Sequence, residues 1–198
     1  MIPHSAVIAI VLLVSAGCQR DEPRAPAAAS PSPSPSTAAG AVPAPLAQDT
    51  GFAGTTAPMS RVRARAPYGV LRRVETAASG AGYDRVVFEF TGDSVPGYSI
   101  QYTTAPVQSC GSGDPVSVAG TQRLVVRLEP ARAHDEQGNA APIDRQLAPR
   151  LPAVKEMKLV CDFEGQVEWV LGLAARAPYR VSELAGPARL VLDVRHQP

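Results

Sequence analysis

The chain has 198 residues, the length of about one domain with appendages. Its formal net charge is +1, and from Arg61 onward 17 basic residues stand against 15 acidic ones. A domain that binds nucleic acid normally carries a concentrated excess of basic residues, so we expect no nucleic-acid partner.

The N-terminus has the pattern of an export signal. Residues 6–14 form an apolar run that is shorter than the roughly 20 residues needed to cross a bilayer, but typical of a signal peptide. Three small residues and then Cys18 follow, an order that resembles the lipobox of bacterial lipoproteins. This resemblance implies a signal peptide over residues 1–17 and a lipid such as palmitate on Cys18. The protein would then be anchored to a membrane of the cell envelope, on its extracytoplasmic side. The alternative is an ordinary cleaved signal with an incidental cysteine.

Residues 18–60 are rich in proline, alanine and serine and contain few large apolar side chains. Such a segment buries too little surface to offset the entropy lost on ordering. We expect a disordered tether here, either a means of reaching the cell wall or a passive spacer.

One nine-residue pattern recurs three times, at residues 82–90, 120–128 and 186–194. Each copy has a turn glycine, two turn-like residues, an arginine and then five residues rich in Val, Leu and Phe. Side chains of a strand alternate between two faces. The apolar positions of the copies are therefore expected in the core: Val86, Phe88, Phe90, Leu124, Val126, Leu128, Leu190, Leu192 and Val194.

Further strands are predicted over residues 70–77, 97–104, 153–163, 166–174 and 178–184. The strand over 153–163 is expected to be interrupted near Cys161, and a turn is expected at 162–165 before the next strand. A tight turn at 79–82 predicts a hairpin between the first of them and the first copy of the pattern. Residues 131–152 are the least regular, with a short helical turn expected at 142–147. About eight to nine short strands and no helical periodicity predict an all-β fold, an antiparallel β-sandwich over residues 61–198. Glu89 or Asp193 is expected to pair with Arg127 across adjacent strands.

Cys110 and Cys161 are the two cysteines of the predicted domain. In an exported protein they are expected to form a disulfide, worth roughly 4 kcal/mol through its loop of about 50 residues. The alternative is two free thiols. The domain's two histidines, His134 and His196, have no neighbouring Cys or His in the sequence, so we expect no metal site and no cofactor.

Four segments together resemble the AMIN-like domain of bacterial exported lipoproteins, over about residues 70–195. They are residues 82–90, 162–165, 169–173 and 187–194. The resemblance implies a β-sandwich and, by analogy with the related AMIN domain, a partner that is peptidoglycan or a protein of the cell envelope.

Five residues are candidates for binding such a partner. Arg85, Arg123 and Arg189 occupy the same position of the repeated pattern and could contact carboxylates, or could cover the sheet with their aliphatic stems. Asp162 and Glu164 flank a turn, and either bind a ligand or form the turn. Trp169 could stack on a sugar, although its alternation with apolar neighbours favours the core.

Two other functions are open. Catalysis would have to use Asp162 with Glu164, or His134 with Asp135, but the sequence has no nucleophile motif, and we expect that the protein is not an enzyme. A scaffold lipoprotein without glycan binding would engage another envelope protein through strand edges. It could also use the outward residues Val87, Val125 and Val191, if these form one exposed patch.

Overall fold

The computed structural model describes residues 51–197, and the predicted signal peptide and Cys18 lie outside this part of the chain. The described part forms two β-sheets and contains no helix, hence none that could span a membrane. In spatial order, the six-stranded sheet contains β1 (Met59–Arg61), β4 (Gly97–Thr103), β5 (Gln122–Glu129), β9 (Gln166–Leu173), β8 (Val154–Phe163) and β7 (Gln146–Leu147). The five-stranded sheet contains β10 (Tyr179–Leu184), β11 (Arg189–Arg195), β3 (Tyr83–Phe90), β2 (Gly69–Ser79) and β6 (Ala131–Arg132).

The two sheets pack face to face, which confirms the predicted β-sandwich. The first and third copies of the repeated pattern form β3 and β11, which pair with each other, whereas the second copy forms β5 in the opposite sheet. All nine predicted core positions of the three copies are fully buried. The rings of Phe88 and Trp169 meet across the core with their centroids 6.1 Å apart, so Trp169 belongs to the core.

The strands follow the prediction closely, with three differences. Eight strands have six or more residues, and β1, β6 and β7 are short additions. β6 runs parallel to β2, although the remaining pairs are antiparallel. The helical turn expected at 142–147 is wrong: Gln146 and Leu147 pair with β8, and the Leu159 amide donates to the Arg145 carbonyl, so this segment satisfies its backbone by extending a sheet.

The ordered structure begins before residue 61. Residues 52–63, here called the N-terminal strap, fall mostly within the segment predicted to be a tether. Phe52 is buried, Thr55 exchanges two backbone hydrogen bonds with Tyr179 of β10, and β1 then pairs with β4 of the other sheet. The strap therefore closes one side of the sandwich by bridging the edge strands of both sheets.

Two side chains of β10 hold the strap. The Tyr179 hydroxyl lies 2.7 Å from the Ala57 carbonyl and 2.9 Å from the Ile100 carbonyl. Burial raises the pKa of Tyr179 to about 12, so its hydroxyl stays protonated and can donate. The Glu183 carboxylate accepts hydrogen bonds from Arg61 at 2.6 Å and Arg63 at 2.7 Å. Burial opposes ionisation of Glu183, but these two arginines lower its pKa below the ordinary value.

The predicted disulfide is present. Cys110 and Cys161 are joined across 51 residues of sequence, and the bond ties the loop after β4 to β8. The β8–β9 ladder also shifts register between Leu159 and Cys161, where the sequence predicted an interrupted strand.

The turn between β8 and β9 contains Glu164 and Gly165, with φ angles of 49° and 80°. Two successive positive φ values are characteristic of a type I′ hairpin turn, which favours Asn or Asp followed by glycine. Glu164 is therefore an unfavourable residue in a conformation that L-residues adopt at a cost.

We expect Tyr179→Phe to lower the free energy of unfolding by about 1–3 kcal/mol, because the carbonyl oxygens of Ala57 in the strap and Ile100 in β4 lose their donor. Urea denaturation of the full chain measures this change. Tyr68→Phe is the control, since Tyr68 is 54% exposed and its change should stay within about 0.5 kcal/mol. Equal losses in the two variants would contradict the role assigned to Tyr179.

We expect Glu164→Asn to raise the free energy of unfolding by about 0.5–1 kcal/mol, because asparagine tolerates the left-handed conformation better than glutamate. Glu164→Gln removes the same charge but keeps the unfavourable backbone, so it should leave stability nearly unchanged. The two variants are compared by thermal and urea unfolding. If the Glu164→Asn variant is no more stable than the Glu164→Gln variant, the backbone conformation of Glu164 does not limit the stability of the domain.

Candidate functional site

The structure brings together two of the three repeated arginines. Arg85 on β3 and Arg189 on β11 project from the outer face of the five-stranded sheet, whereas Arg123 on β5 belongs to the other sheet. The sequence pattern placed each arginine correctly on the outward side of its strand. It contained no information on which sheet each strand would join.

The outer face of the five-stranded sheet is rich in arginine. Strand register places on it five arginines and three carboxylates, an excess of two positive charges (5 − 3). We call this surface the arginine face. Its arginines are Arg73, Arg85, Arg180, Arg189 and Arg195, and its carboxylates are Glu75, Glu89 and Asp193. The formal charge of the whole chain is only +1, so this face is the more basic part of a nearly neutral molecule.

Asp193 organises the centre of the arginine face. Its carboxylate is 3% exposed and accepts hydrogen bonds from Arg85 Nε at 2.7 Å, Arg85 Nη2 at 3.0 Å and Arg180 Nε at 2.9 Å. The hydrogen bond to Asp193 raises the pKa of Arg85 above its ordinary value. One carboxylate thus fixes two guanidinium groups, and a net positive charge remains.

Two aromatic rings support these guanidinium groups. Phe52 of the strap and Tyr83 of β3 have ring centroids 5.7 Å apart. The Arg180 guanidinium carbon lies 4.5 Å from the Phe52 centroid and 4.8 Å from the Tyr83 centroid, and Arg195 lies 5.8 Å from the Phe52 centroid. Such cation–π contacts restrict the planar groups and fix their positive charge at this surface.

Arg189 has no ion pair within 4.0 Å among residues 51–197, which distinguishes it from Arg85. It lies opposite Glu89 in the β3–β11 register, but Glu89 is 3.5 Å from Arg72 instead. The Nε atom of Arg189 is buried without a hydrogen-bond partner in the same part of the chain. Its charge is therefore not neutralised by a described carboxylate.

The predicted pairing of Arg127 with Glu89 or Asp193 is wrong. Arg127 lies on β5 and pairs with Glu168 of the adjacent β9 at 2.9 Å, because its sheet does not contain β3 or β11. The outward valines also do not form one patch. Val87 and Val191 are register neighbours in the five-stranded sheet, and Val125 lies in the other sheet.

Asp162 and Glu164 lie away from the arginine face, at the end of β8. The Asp162 carboxylate accepts a hydrogen bond from the Ala133 amide at 2.8 Å, and lies 2.9 Å from His134 Nδ1 and 3.3 Å from Arg145 Nη2. It therefore holds the irregular segment after β6 against the six-stranded sheet. Glu164 is an exposed turn residue.

A second carboxylate that sequence reasoning missed joins the two sheets. Asp84 is fully buried and accepts hydrogen bonds from the amides of Ala153 and Val154 at 2.6 and 2.8 Å, while His196 Nε2 lies 2.7 Å from its other oxygen. The sequence pattern indicated the inward direction of this side chain, since Asp84 lies two residues before Val86 on β3 and must face the same side. Among the described residues, no group of three or more His, Cys, Asp or Glu side chains is arranged to hold a metal ion.

Comparison with known proteins identifies the domain. Residues 69–196 match the family model described as the AMIN-like domain. Searches of curated proteins and of solved structures find no significant match. Domains of this family are typical of the periplasm or cell envelope and are associated with peptidoglycan or envelope proteins. The match covers more than half of the chain. The chain therefore belongs to the AMIN-like domain family and is a peptidoglycan-associated or envelope module.

Proposed function

We propose that this protein is a lipid-anchored module of the cell envelope that binds peptidoglycan through the arginine face. The observation that carries the proposal is the net positive charge of that face around a nearly buried Asp193, with two guanidinium groups held in place by the carboxylate and by aromatic rings. Peptidoglycan fits this surface because its peptide stems carry carboxylates.

The chemistry of recognition would be charge-assisted hydrogen bonding. A guanidinium group offers paired donors that match a carboxylate, and a hydrogen bond to a charged group contributes about 1.5–3 kcal/mol. Arg189 and Arg195 are the residues we expect to contact the polymer directly. Arg85 and Arg180 are already held by Asp193 and would act mainly by fixing the electrostatic potential of the surface.

We propose binding rather than catalysis. The two histidine–carboxylate contacts of the described domain have structural partners: Asp162 also holds the Ala133 amide, and Asp84 holds two backbone amides while fully buried. These carboxylates stabilise loops and sheets, which supports a non-enzymatic role.

The anchor would be a lipid on Cys18, and residues 19–51 would separate it from the strap. A flexible tether of about 30 residues has a root-mean-square reach of about 30 Å, and extended polyproline would reach about 90 Å. Such lengths would let the domain leave the membrane surface and meet the cell wall.

A second candidate function has its own observation. The outer edge of β2 pairs with β6 only at Gly69 and Val70, so Leu71–Ser79 has no strand partner on that side among residues 51–197. An envelope protein could add a strand there by backbone hydrogen bonding. This scaffold function would not require glycan binding.

Sedimentation with purified sacculi tests the first proposal. The full chain carrying Cys18→Ala, which removes the lipid, is expected to sediment with sacculi, and the Arg189→Gln/Arg195→Gln double variant is expected to bind at least tenfold more weakly. Arg127→Gln is the matched control, because that charge lies on the other sheet and is paired with Glu168. Added salt should weaken binding by screening exposed charges.

Two results of this experiment would reject peptidoglycan binding through the arginine face. One is no enrichment of the wild-type domain above an unrelated disulfide-bonded domain. The other is equal binding by the double variant and by Arg127→Gln. Envelope-protein capture that is lost when proline replaces Thr76, in the middle of the open β2 edge, would favour the scaffold function instead.

The anchor is tested separately by metabolic labelling with an alkyne analogue of palmitate. The wild-type chain should incorporate the label and partition into detergent, and Cys18→Ala should do neither. An unlabelled wild-type chain in a strain that labels its other lipoproteins would exclude the lipid anchor, without affecting the result with sacculi.

A further inference from the structure

The loop between β4 and β5, residues 104–121, lies on the outer face of the six-stranded sheet and is firmly attached to it. The Cys110–Cys161 disulfide joins it to β8. The Glu156 carboxylate accepts a hydrogen bond from the Ala119 amide at 2.6 Å, and Lys158 Nζ donates to the Ser117 carbonyl at 2.7 Å. Three independent attachments, at Cys110, Ser117 and Ala119, therefore fix the loop to one strand, β8.

The two halves of the loop also hold each other. The Val116 amide donates to the Val107 carbonyl at 2.8 Å, and the Ser109 amide donates to the Asp114 carbonyl at 2.9 Å, as in a small hairpin. The loop also contributes to a second apolar cluster, separate from the main core, which consists of Val107, Val116, Val118, Val125, Val160 and Val170. The hairpin therefore stands on a hydrophobic base.

A backbone contact seats this loop directly on β9. A Cβ atom on Gly172 would lie 1.8 Å from the Ala119 carbonyl oxygen, so only glycine permits the approach. The loop is thus a permanent part of the sheet surface.

An open groove of about 510 Å³ lies between this loop and the adjacent ends of β4 and β5. Its volume falls within the roughly 300–1,000 Å³ of small-ligand sites. The described residues that line it supply apolar and hydroxyl side chains, one amide, one cation and no aromatic ring; they include Thr103, Pro106, Val107, Val116, Thr121 and Arg123. The ligand that fits is a small apolar molecule with one negative charge, and the lack of a ring disfavours sugar stacking.

Arg123 is fixed at this groove. Its Nη1 donates to the Gly120 carbonyl at 2.7 Å and to the Gln122 carbonyl at 3.2 Å. Within the described part of the chain its Nε and Nη2 make no hydrogen bond, and it has no ion pair within 4.0 Å. The guanidinium is therefore oriented by its own backbone, with donors remaining for an external carboxylate.

We propose that this groove binds the carboxylate end of a short peptide with small apolar side chains, with Arg123 holding the carboxylate and the Val107 and Val116 region receiving the side chains. The inference rests on the proposed function, since peptide stems of peptidoglycan belong to this chemical class. The groove and the arginine face lie on different sheets, so the two sites can be tested separately.

The experiment is an NMR titration of the isotopically labelled full chain carrying Cys18→Ala, with its disulfide intact. The probes are N-acetyl-alanyl-alanine with a free carboxylate and the same peptide with an amidated C-terminus, each as the L,L and D,D isomer. We expect the acid of at least one isomer to shift the amide signals of Thr103, Val107 and Thr121. The amide, or Arg123→Gln tested with that acid, should bind at least tenfold more weakly.

Arg127→Gln is the matched control, because it removes a charge from the same strand and the same face four residues away, and it should bind like the wild type. Equal affinity for acid and amide, or an unchanged affinity in Arg123→Gln, would overturn the proposal. So would the absence of shifts at the groove with every probe.

The two proposals fail in different ways. Sacculus binding that survives while no peptide enters the groove overturns the groove and leaves the proposed function standing. Peptide binding without sacculus binding supports the groove and rejects the arginine face as a peptidoglycan site.

Discussion

A β-strand directs alternate side chains to opposite faces, and this constraint determines both what the sandwich buries and what it presents. Burying Val86, Phe88 and Phe90 requires that the residues between them, and Arg85 before them, face outward. The same constraint on β11 buries Leu190, Leu192 and Val194 in the core, and directs Arg189 and Asp193 to the outer face of the sheet. Because β3 and β11 are neighbours, their outward residues form a continuous surface in which arginine predominates.

That surface is distinguished by order as well as by charge. Asp193 and the rings of Phe52 and Tyr83 hold Arg85 and Arg180 in place, so their positive charge has a fixed arrangement at this surface. Arg195, one of the two arginines expected to contact the polymer, also lies 5.8 Å from the Phe52 ring centroid. An exposed arginine normally loses side-chain entropy when it binds, and this contact reduces that loss for Arg195. The strap contributes both to the fold and to this surface, since it closes the edge of the sandwich and also supplies Phe52 to the arginine face.

The sequence predicted features that depend on local alternation or on a single pair of residues. The apolar positions of the three copies, the β2–β3 hairpin, the irregular register near Cys161 and the Cys110–Cys161 disulfide are all confirmed. Each of these follows from neighbouring residues or, for the disulfide, from there being only two candidates in the domain.

Features that depend on which distant strands pair were not predictable in the same way. Arg123 shares its pattern with Arg85 and Arg189, but lies in the other sheet because β5 pairs with β4 and β9. The strap was missed because proline- and alanine-rich composition implies disorder, whereas its order comes from two backbone hydrogen bonds at Thr55 and from a few anchors such as Phe52. For Asp84, strand alternation indicates the inward direction of the side chain, but its partners were not predictable: the backbone amides of Ala153 and Val154, which make a buried carboxylate acceptable, come from a distant segment of the chain.

The arrangement of the two proposed sites bears on how a module of this size could hold a polymer. The arginine face lies on the outer surface of one sheet, and the groove at Arg123 lies on the outer surface of the other, so neither obstructs the other. Each site offers only a few charged contacts and should be weak by itself. A network polymer presents many equivalent groups, so a second contact becomes intramolecular once the first has formed, and overall affinity can exceed that of either site by a large factor. A membrane tether would add to this effect by keeping the domain close to the wall. Weak, reversible contacts on two faces would then suffice for retention, and they would still allow the domain to move along the polymer.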